Sequence, residues 1–166
     1  MAGRVVIAAP TTECYWVTPS LLAGKYPGAK FDVEADDKIA ALVAAGVRTF
    51  IDLTEPGELL PYANRLPANV EHQRIGVVDV TCPQESQVRL ALDLIDAAVE
   101  EGIVYLHCRG GCGRTGVIVG CYLVRHGEDP ARALSRVHDL TRALWNKPCP
   151  ETDDQLAMVK TWSASQ

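Results

Sequence analysis

Cys108 and Arg114 could do chemistry together, because they lie close in the glycine-rich segment YLHCRGGCGRTG. A cysteine thiolate is a nucleophile, and a planar guanidinium can bind two oxygens of a tetrahedral oxyanion at once. Gly110, Gly111 and Gly113 permit backbone angles that side chains forbid, so an anion can approach the chain closely. The spacing therefore predicts a phosphate-binding loop that contains its own nucleophile.

A strand before this loop and a helix after it must hold the loop in place. The apolar run IVYLH predicts a short buried strand, and RTGVIVGCYLVRHG predicts a helix that is buried nearly all round and ends at Gly127. A loop between a strand and a helix directs its backbone N–H groups inward, and the helix N-terminus adds partial positive charge. The resulting nest of amides attracts an anion and favours the thiolate of Cys108.

The other segments alternate between helix and strand patterns. Apolar residues at spacings of three and four predict a long helix after Pro83, and Asp129 followed by Pro130 is typical of a helix start. Thr152 and Gln155 have the spacing of a capping box at the start of a last helix. In chain order we expect a helix over 36–46, strands over 47–53 and 70–78, helices over 83–102 and from 129, and a helix from 152.

This alternation predicts an α/β fold with a central, mainly parallel sheet flanked by helices. The 166 residues are about the size of one ordinary domain. No internal repeat or linker divides the chain, so we expect a single catalytic domain over residues 1–166.

Composition argues against several classes of protein. The formal net charge is -5, without a run of lysine and arginine, so we expect no nucleic-acid partner and no membrane partner. The first apolar run, before Pro10, is too short for a signal peptide or a membrane span, which predicts a cytoplasmic location. Six cysteines without an export signal are expected to be free thiols, and their spacing to the histidines is not that of a metal site.

The segment HCRGGCGRTG resembles the His-Cys-x5-Arg-Ser/Thr signature of the cysteine-dependent protein tyrosine phosphatases, and the short chain is similar to their compact dual-specificity branch. The resemblance implies a phosphocysteine formed by Cys108, phosphate bound by Arg114 and the loop amides, and assistance by Thr115 when the thiolate departs. It implies no metal and no organic cofactor. The residues then expected to bind phosphate are Arg109, Gly110, Gly111, Cys112, Gly113 and Arg114.

A phosphate ester with a poor leaving group also needs a proton donor. In IGVVDVTCP, Asp79 is followed by Pro83 as in the acid loop of this family, so Asp79 is expected to protonate the leaving oxygen and later to activate water. Asp52 is the competing carboxylate, and its alternative role is a hydrogen bond to the turn after its strand.

Four residues leave two interpretations open. His107 orients the cysteine or is a buried core histidine, and Gln155 resembles a glutamine that orients water in some relatives or only caps its helix. Cys82 and Cys112 are resolving thiols that form a reversible disulfide with an oxidised Cys108, or small buried thiols. Near the start of the chain, YWVTPSLLAGKYPG is similar to a segment of bacterial and archaeal members and is expected to contribute packing.

The resemblance implies a phosphomonoester hydrolase that acts on phosphotyrosine and also on phosphoserine and phosphothreonine. The expected partner is a phosphorylated protein or a small phosphate ester, and we expect a monomer. One alternative is a phosphate-recognition module, or pseudophosphatase, without turnover. The other is a phosphatase for a non-protein ester such as a phosphoinositide.

Overall fold

Five short strands form one sheet. The computed structural model describes residues 7–166. In chain order the strands are β1 (Cys14–Thr18), β2 (Leu21–Gly24), β3 (Val47–Asp52), β4 (Glu71–Arg74) and β5 (Ile103–His107). Across the sheet their order is β1-β2-β5-β3-β4, with β1 antiparallel to β2 and the neighbours from β2 to β4 parallel. The carboxyl ends of these parallel strands therefore meet at one edge of the sheet.

Helices cover both faces of this sheet. They are α1 (Asp32–Ala44), α2 (Glu85–Ala98), α3 (Gly113–Arg125), α4 (Pro130–Thr141) and α5 (Asp153–Thr161). Successive strand residues point to opposite faces. Phe50 and Tyr105 accordingly lie in the core beneath α1, whereas Ile51 and Leu106 lie in the larger core beneath α2 to α5.

Helix α3 is buried at every residue from Gly113 to Val124. It lies between the sheet and the helices α2, α4 and α5, which explains why its sequence is apolar nearly all round. This packing fixes the N-terminus of α3 beside the end of β5.

The predicted α/β class with a mainly parallel sheet is confirmed, although several bounds differ. The strands β1 and β2 were not predicted, because β2 is a four-residue run that is buried throughout and shows no alternation. Helix α1 begins at Asp32 instead of at residue 36, since its first turn carries exposed Val33 and two acids and shows no apolar period. The predicted strand over 70–78 is shorter in the structure, where Glu71–Arg74 forms the strand that pairs with β3.

The predicted helix ends have the expected geometry. Gly46 and Gly127 adopt positive φ angles of 107° and 100° after α1 and α3. The Asp129 side chain accepts hydrogen bonds from the backbone N–H groups of Ala131 and Arg132 at the start of α4. Thr152 and Gln155 form the capping box of α5.

Within residues 7–166, no helix is both long enough and apolar enough to cross a bilayer. The interpretation that the chain begins without an export signal depends in part on residues 1–6, which lie outside the described residues. The cytoplasmic location and the extent of the domain stay predictions.

Candidate active site

The segment 108–114, here called the anion loop, connects β5 to α3. Cys108 and Arg114 are both buried, with 3% and 1% of their surfaces exposed. From Arg109 to Arg114, no backbone N–H donates a hydrogen bond to another described residue. Unpaired amides at the N-terminus of a buried helix can bind an oxyanion, as the spacing of the loop residues predicts.

The β1–β2 hairpin fixes the shape of the anion loop. Gly111 has a φ of 70°, and a Cβ built on it would lie 2.5 Å from the carbonyl carbon of Gly24, so no other residue fits there. The hydroxyl of Tyr15 donates to the carbonyl of Gly111 at 3.2 Å, and the N–H of Tyr26 donates to the carbonyl of Arg109 at 3.1 Å. The segment expected to contribute only packing therefore positions the loop.

The Arg114 guanidinium donates hydrogen bonds to four residues, of which the carbonyl of Leu53, at 3.5 Å, is the most distant. Its two terminal nitrogens donate to the two carboxylate oxygens of Glu58 at 2.9 Å and 2.8 Å. They also donate to the carbonyl of Val77 and to Asp79 Oδ1, both at 2.8 Å. Hydrogen bonds from Arg114 lower the pKa of Glu58, which is therefore a carboxylate at neutral pH.

Sequence reasoning missed Glu58. The residue lies in the turn TEPGE after β3, where the N–H of Glu55 donates to its carboxylate at 3.0 Å. The signal that could have found it is topological, because β3 and β5 are parallel neighbours and their carboxyl ends share one edge. Glu58 orients Arg114 in a fork-to-fork contact.

Replacing Glu58 with glutamine is expected to lower kcat for an aryl phosphate about tenfold to 100-fold. The amide cannot accept both guanidinium hydrogen bonds as a carboxylate does, so Arg114 loses its fixed orientation. Steady-state kinetics measure the change, with Glu55→Gln in the same turn as the matched control. An unchanged kcat in Glu58→Gln would show that Val77 and Asp79 suffice to orient the guanidinium.

Asp79 lies in the irregular segment after β4 and reaches Arg114. It is 43% exposed, and its second carboxylate oxygen lies 3.3 Å from Nε of Arg109. Asp79 Oδ1 also accepts from the N–H of Val80, a residue with a φ of 64°. The structure thus brings Asp79 into contact with two arginines of the anion loop, Arg109 and Arg114.

Gln155 lies against both the anion loop and the segment that carries Asp79. Its Oε1 accepts from the N–H of Thr152, which completes the predicted capping box, and its Nε2 donates to the carbonyl of Thr81 at 3.0 Å. A Cβ built on Gly113 would lie 3.0 Å from Gln155 Nε2. Gln155 is fully buried, so it links α5, the start of α3 and the segment that carries Asp79.

Both carboxylate oxygens of Asp52 already have hydrogen-bond partners. It is 1% exposed and accepts hydrogen bonds from the N–H and hydroxyl of Thr54 at 2.9 Å and 2.6 Å. Arg74 donates to its other oxygen at 2.9 Å, and His72 lies at 3.0 Å. Burial alone would raise the pKa of Asp52, but these hydrogen bonds hold it well below its usual range. The expected bond to the turn is present, and Asp52 is not poised as a proton donor.

His107 is buried and neutral. Burial lowers its pKa, and its Nδ1 lies 3.0 Å from the carbonyl oxygen of Cys108. A carbonyl can only accept, so Nδ1 carries the proton and Nε2 accepts from the Tyr62 hydroxyl at 2.6 Å. His107 therefore orients the backbone carbonyl of Cys108 while being part of the core.

Because the folded-state pKa of His107 is lowered, stability should fall as the pH falls below about 6.5. In that range the unfolded chain takes up a proton that the folded histidine excludes. This group contributes at most about 1.4 kcal/mol of lost stability per pH unit. Urea unfolding at about pH 7.5 and about pH 5.5 should give a smaller loss for His107→Asn than for the wild type. An equal loss, with exposed His126→Asn as the control, would contradict this assignment.

The expectation that all the cysteines are free is wrong. Cys112, which directly precedes α3, forms a disulfide with Cys149, 37 positions along the chain. The reason is tertiary: the segment between α4 and α5 folds back over the start of α3 and brings the two Cα atoms to 5.1 Å. Closing a loop of this length stabilises a fold by about 3 to 4 kcal/mol in the chain-entropy model. With its sulfur in this bond, Cys112 is not a free resolving thiol for Cys108.

Cys82 and Thr115 are the remaining polar groups of interest. Cys82 is free, and burial raises its pKa, which leaves less thiolate for a resolving reaction. That role of Cys82 stays a prediction. The Thr115 hydroxyl is buried and has no hydrogen-bond partner among the described residues.

Residues 11–165 match the family model described as "Swiss Army Knife protein, DSP-PTPase phosphatase domain". Among curated proteins, the chain is 30% identical over 124 residues to protein tyrosine phosphatase domain-containing protein 1 of Mus musculus. The match covers 66% of this chain and 16% of that protein, so the chain spans about a sixth of the relative's length.

Two solved structures have a similar fold. Tk-PTP in its active form is 24% identical, with a TM-score of 0.73 over 89% of this chain and 94% of that chain. TpbA of P. aeruginosa is 22% identical, with a TM-score of 0.73 over 96% of this chain and 90% of that chain. At these identities the likeness concerns the fold, and it matches the α/β architecture described above.

Proposed function

This chain belongs to the DSP-PTPase phosphatase domain family, and from that membership we propose that it is a phosphomonoester hydrolase that works through a phosphocysteine intermediate. One observation carries the proposal. The Arg114 guanidinium, which ends the loop that starts with Cys108, contacts the carboxylate of Asp79 at 2.8 Å. The residues proposed as nucleophile, oxyanion ligand and proton donor therefore lie at one edge of the sheet.

Phosphate binding replaces one of the internal contacts of Arg114. The loop amides supply donors without protein partners, and Arg114 supplies a cation fixed by Glu58. A phosphate dianion takes the place of Asp79 on the guanidinium, because it offers more charge in the same position. The displaced Asp79 carboxylate then takes up a proton from water and can turn toward the leaving oxygen.

In the first step the Cys108 thiolate attacks phosphorus. The P–S bond forms as the P–O bond to the leaving group breaks, and protonated Asp79 gives its proton to the leaving oxygen. In the second step water attacks phosphorus, the Asp79 carboxylate accepts a proton from that water, and the P–S bond breaks. The buried hydroxyl of Thr115, which lacks a partner, is available to donate a hydrogen bond to the departing thiolate.

The surroundings of Asp79 favour a phosphoprotein as the substrate. Val78 and Val80, on either side of the proposed acid, are exposed to 53% and 59%. Exposed aliphatic side chains beside the leaving group suit the ring of phosphotyrosine better than a polar inositol ring. Similar folds have been solved with pTyr, in TpbA, and with PI(5)P, in PTPMT1, so the fold alone leaves a phosphoinositide as the second candidate.

Hydrolysis of p-nitrophenyl phosphate in the presence of EDTA tests this proposal. We expect turnover that survives chelation, and acid quenching during turnover should trap one phosphoryl group on the peptide that contains Cys108. A folded wild-type protein that hydrolyses neither this ester nor phosphopeptides would overturn the proposal. Binding of phosphopeptides without turnover would then identify a recognition module.

A further inference from the structure

The segment 142–152, here called the wall segment, forms one side of the anion loop. The indole N–H of Trp145 donates to the carbonyl of Gly110 at 2.6 Å, and a Cβ built on Gly110 would lie 3.1 Å from the indole ring. The disulfide from Cys149 to Cys112 ties the same segment to the loop a second time. Trp145 is therefore held directly against the backbone that we propose to bind phosphate.

Two lysines lie over the Trp145 ring. The Nζ of Lys25 is 4.7 Å from the ring centroid, and the Nζ of Lys147 is 4.9 Å from it. Lys25 follows β2, and the buried hydroxyl of Tyr105 donates to its carbonyl at 2.6 Å, so its backbone is fixed. A contact with an aromatic face positions an ammonium group without neutralising its charge.

The charges of these lysines differ in how far they are compensated. Lys147 pairs with Glu151 at 2.7 Å, whereas Lys25 has no acidic group within salt-bridge distance among residues 7–166. The arginines of the anion loop already contact Glu58 and Asp79. In a chain with a net charge of -5, an uncompensated ammonium beside the anion loop is a place for an external anion.

We propose that Lys25, Trp145 and Lys147 form an accessory subsite that binds a second phosphate group of the substrate. This inference rests on the proposed function, because it assigns the substrate class of the same site. A phosphate dianion suits the subsite better than a substrate carboxylate does. A carboxylate would only replace Glu151 on Lys147 at equal charge, whereas a dianion brings more negative charge to the subsite.

The surface offers room for such a group. Beside Lys147, an open cleft of about 460 Å3 is lined by His138, Arg142, Trp145, Asn146 and Pro148. The second phosphate can come from a doubly phosphorylated peptide or from a small ester such as an inositol bisphosphate. Both sources present the same chemistry to the two lysines.

Substrate pairs that differ by one phosphate test the subsite. We compare kcat/KM for a singly and a doubly phosphorylated peptide, and for an inositol monophosphate and bisphosphate. The wild type should prefer the doubly phosphorylated member of at least one pair by about tenfold or more, and Lys25→Gln and Lys147→Gln should each reduce that preference about fivefold. Added salt should reduce it as well, because the lysines are accessible to solvent.

Lys30→Gln is the matched control, since Lys30 also lies over an aromatic ring, that of Phe31, but outside the wall segment. A preference in only one pair supports the subsite and identifies the source of the phosphate. Absence of any preference in the wild type, or a preference that survives both lysine substitutions, overturns it.

Binding separates failure of the subsite from failure of the proposed function. If the wild type does not hydrolyse p-nitrophenyl phosphate, the same pairs are compared by titration calorimetry. Tighter binding of the doubly phosphorylated member that depends on Lys25 and Lys147 then supports the subsite without turnover. Equal binding of both members overturns it.

Discussion

Cys108→Ser is expected to lower turnover of p-nitrophenyl phosphate about 10⁴-fold or more. A serine hydroxyl is a much weaker nucleophile than a cysteine sulfur, so the first covalent step is lost. The substitution removes little volume from a site that is 3% exposed. The anion loop should keep its shape, because Gly111 remains held by Tyr15 and Gly24.

The same substitution at a second buried cysteine distinguishes loss of the nucleophile from loss of packing. Cys121 is a free, fully buried cysteine on α3, and Cys121→Ser should keep most of the activity. Inorganic phosphate should bind to Cys108→Ser about as tightly as to the wild type, as measured by calorimetry. Turnover by Cys108→Ser at a rate near that of the wild type would exclude a phosphocysteine intermediate.

Asp79→Asn is expected to lower kcat for phenyl phosphate by about 100-fold to about 10,000-fold. Phenol is a poor leaving group that needs a proton, whereas p-nitrophenolate departs without one. The loss should therefore be much smaller for p-nitrophenyl phosphate. The ratio of the two losses reports on the proton donor, because a general loss of folding would affect both esters equally.

Two other aspartates serve as controls for Asp79→Asn. Asp93 lies on α2 and is 69% exposed, so Asp93→Asn should leave the hydrolysis of both esters unchanged. Asp52→Asn should lower stability, because it disturbs acceptors for Thr54 and Arg74, without a dependence on the leaving group. The assignment of the acid would be reversed if the loss of kcat depended on the leaving group in Asp52→Asn and did not depend on it in Asp79→Asn.

The sequence predicts those parts of the site that depend on local structure. Cys108 and Arg114 lie in one loop between a strand and a helix, so their spacing alone predicts that they meet at one anion-binding surface. The cap formed by Thr152 and Gln155 is local in the same sense. Asp79 lies 35 positions before Arg114, and its contact was predicted from a resemblance and not from spacing.

Contacts across distant elements were not predictable in this way. Glu58 meets Arg114 across 56 positions, and Cys149 meets Cys112 across 37 positions. Sequence patterns report burial and local conformation, whereas these pairs depend on how the turn after β3 and the wall segment fold back. The rule for parallel strand ends narrows the candidates to the acids after β3, but it does not distinguish Glu55 from Glu58.

In the proposed reaction, we expect the internal partners of Arg114 also to affect how the cycle ends. Arg114 is 1% exposed, and an unpaired charge buried to that degree would destabilise the protein. The departure of inorganic phosphate would create such a charge if no other anion were present. Here Glu58 accepts hydrogen bonds from both terminal nitrogens, and Asp79, once it has lost its proton, can return to the guanidinium as the product departs. The protein thereby supplies a substitute for its own product, which should speed product release and weaken product inhibition. An inhibitor that mimics phosphate must compete with this tethered carboxylate, so its affinity depends on how much more charge it carries than an aspartate.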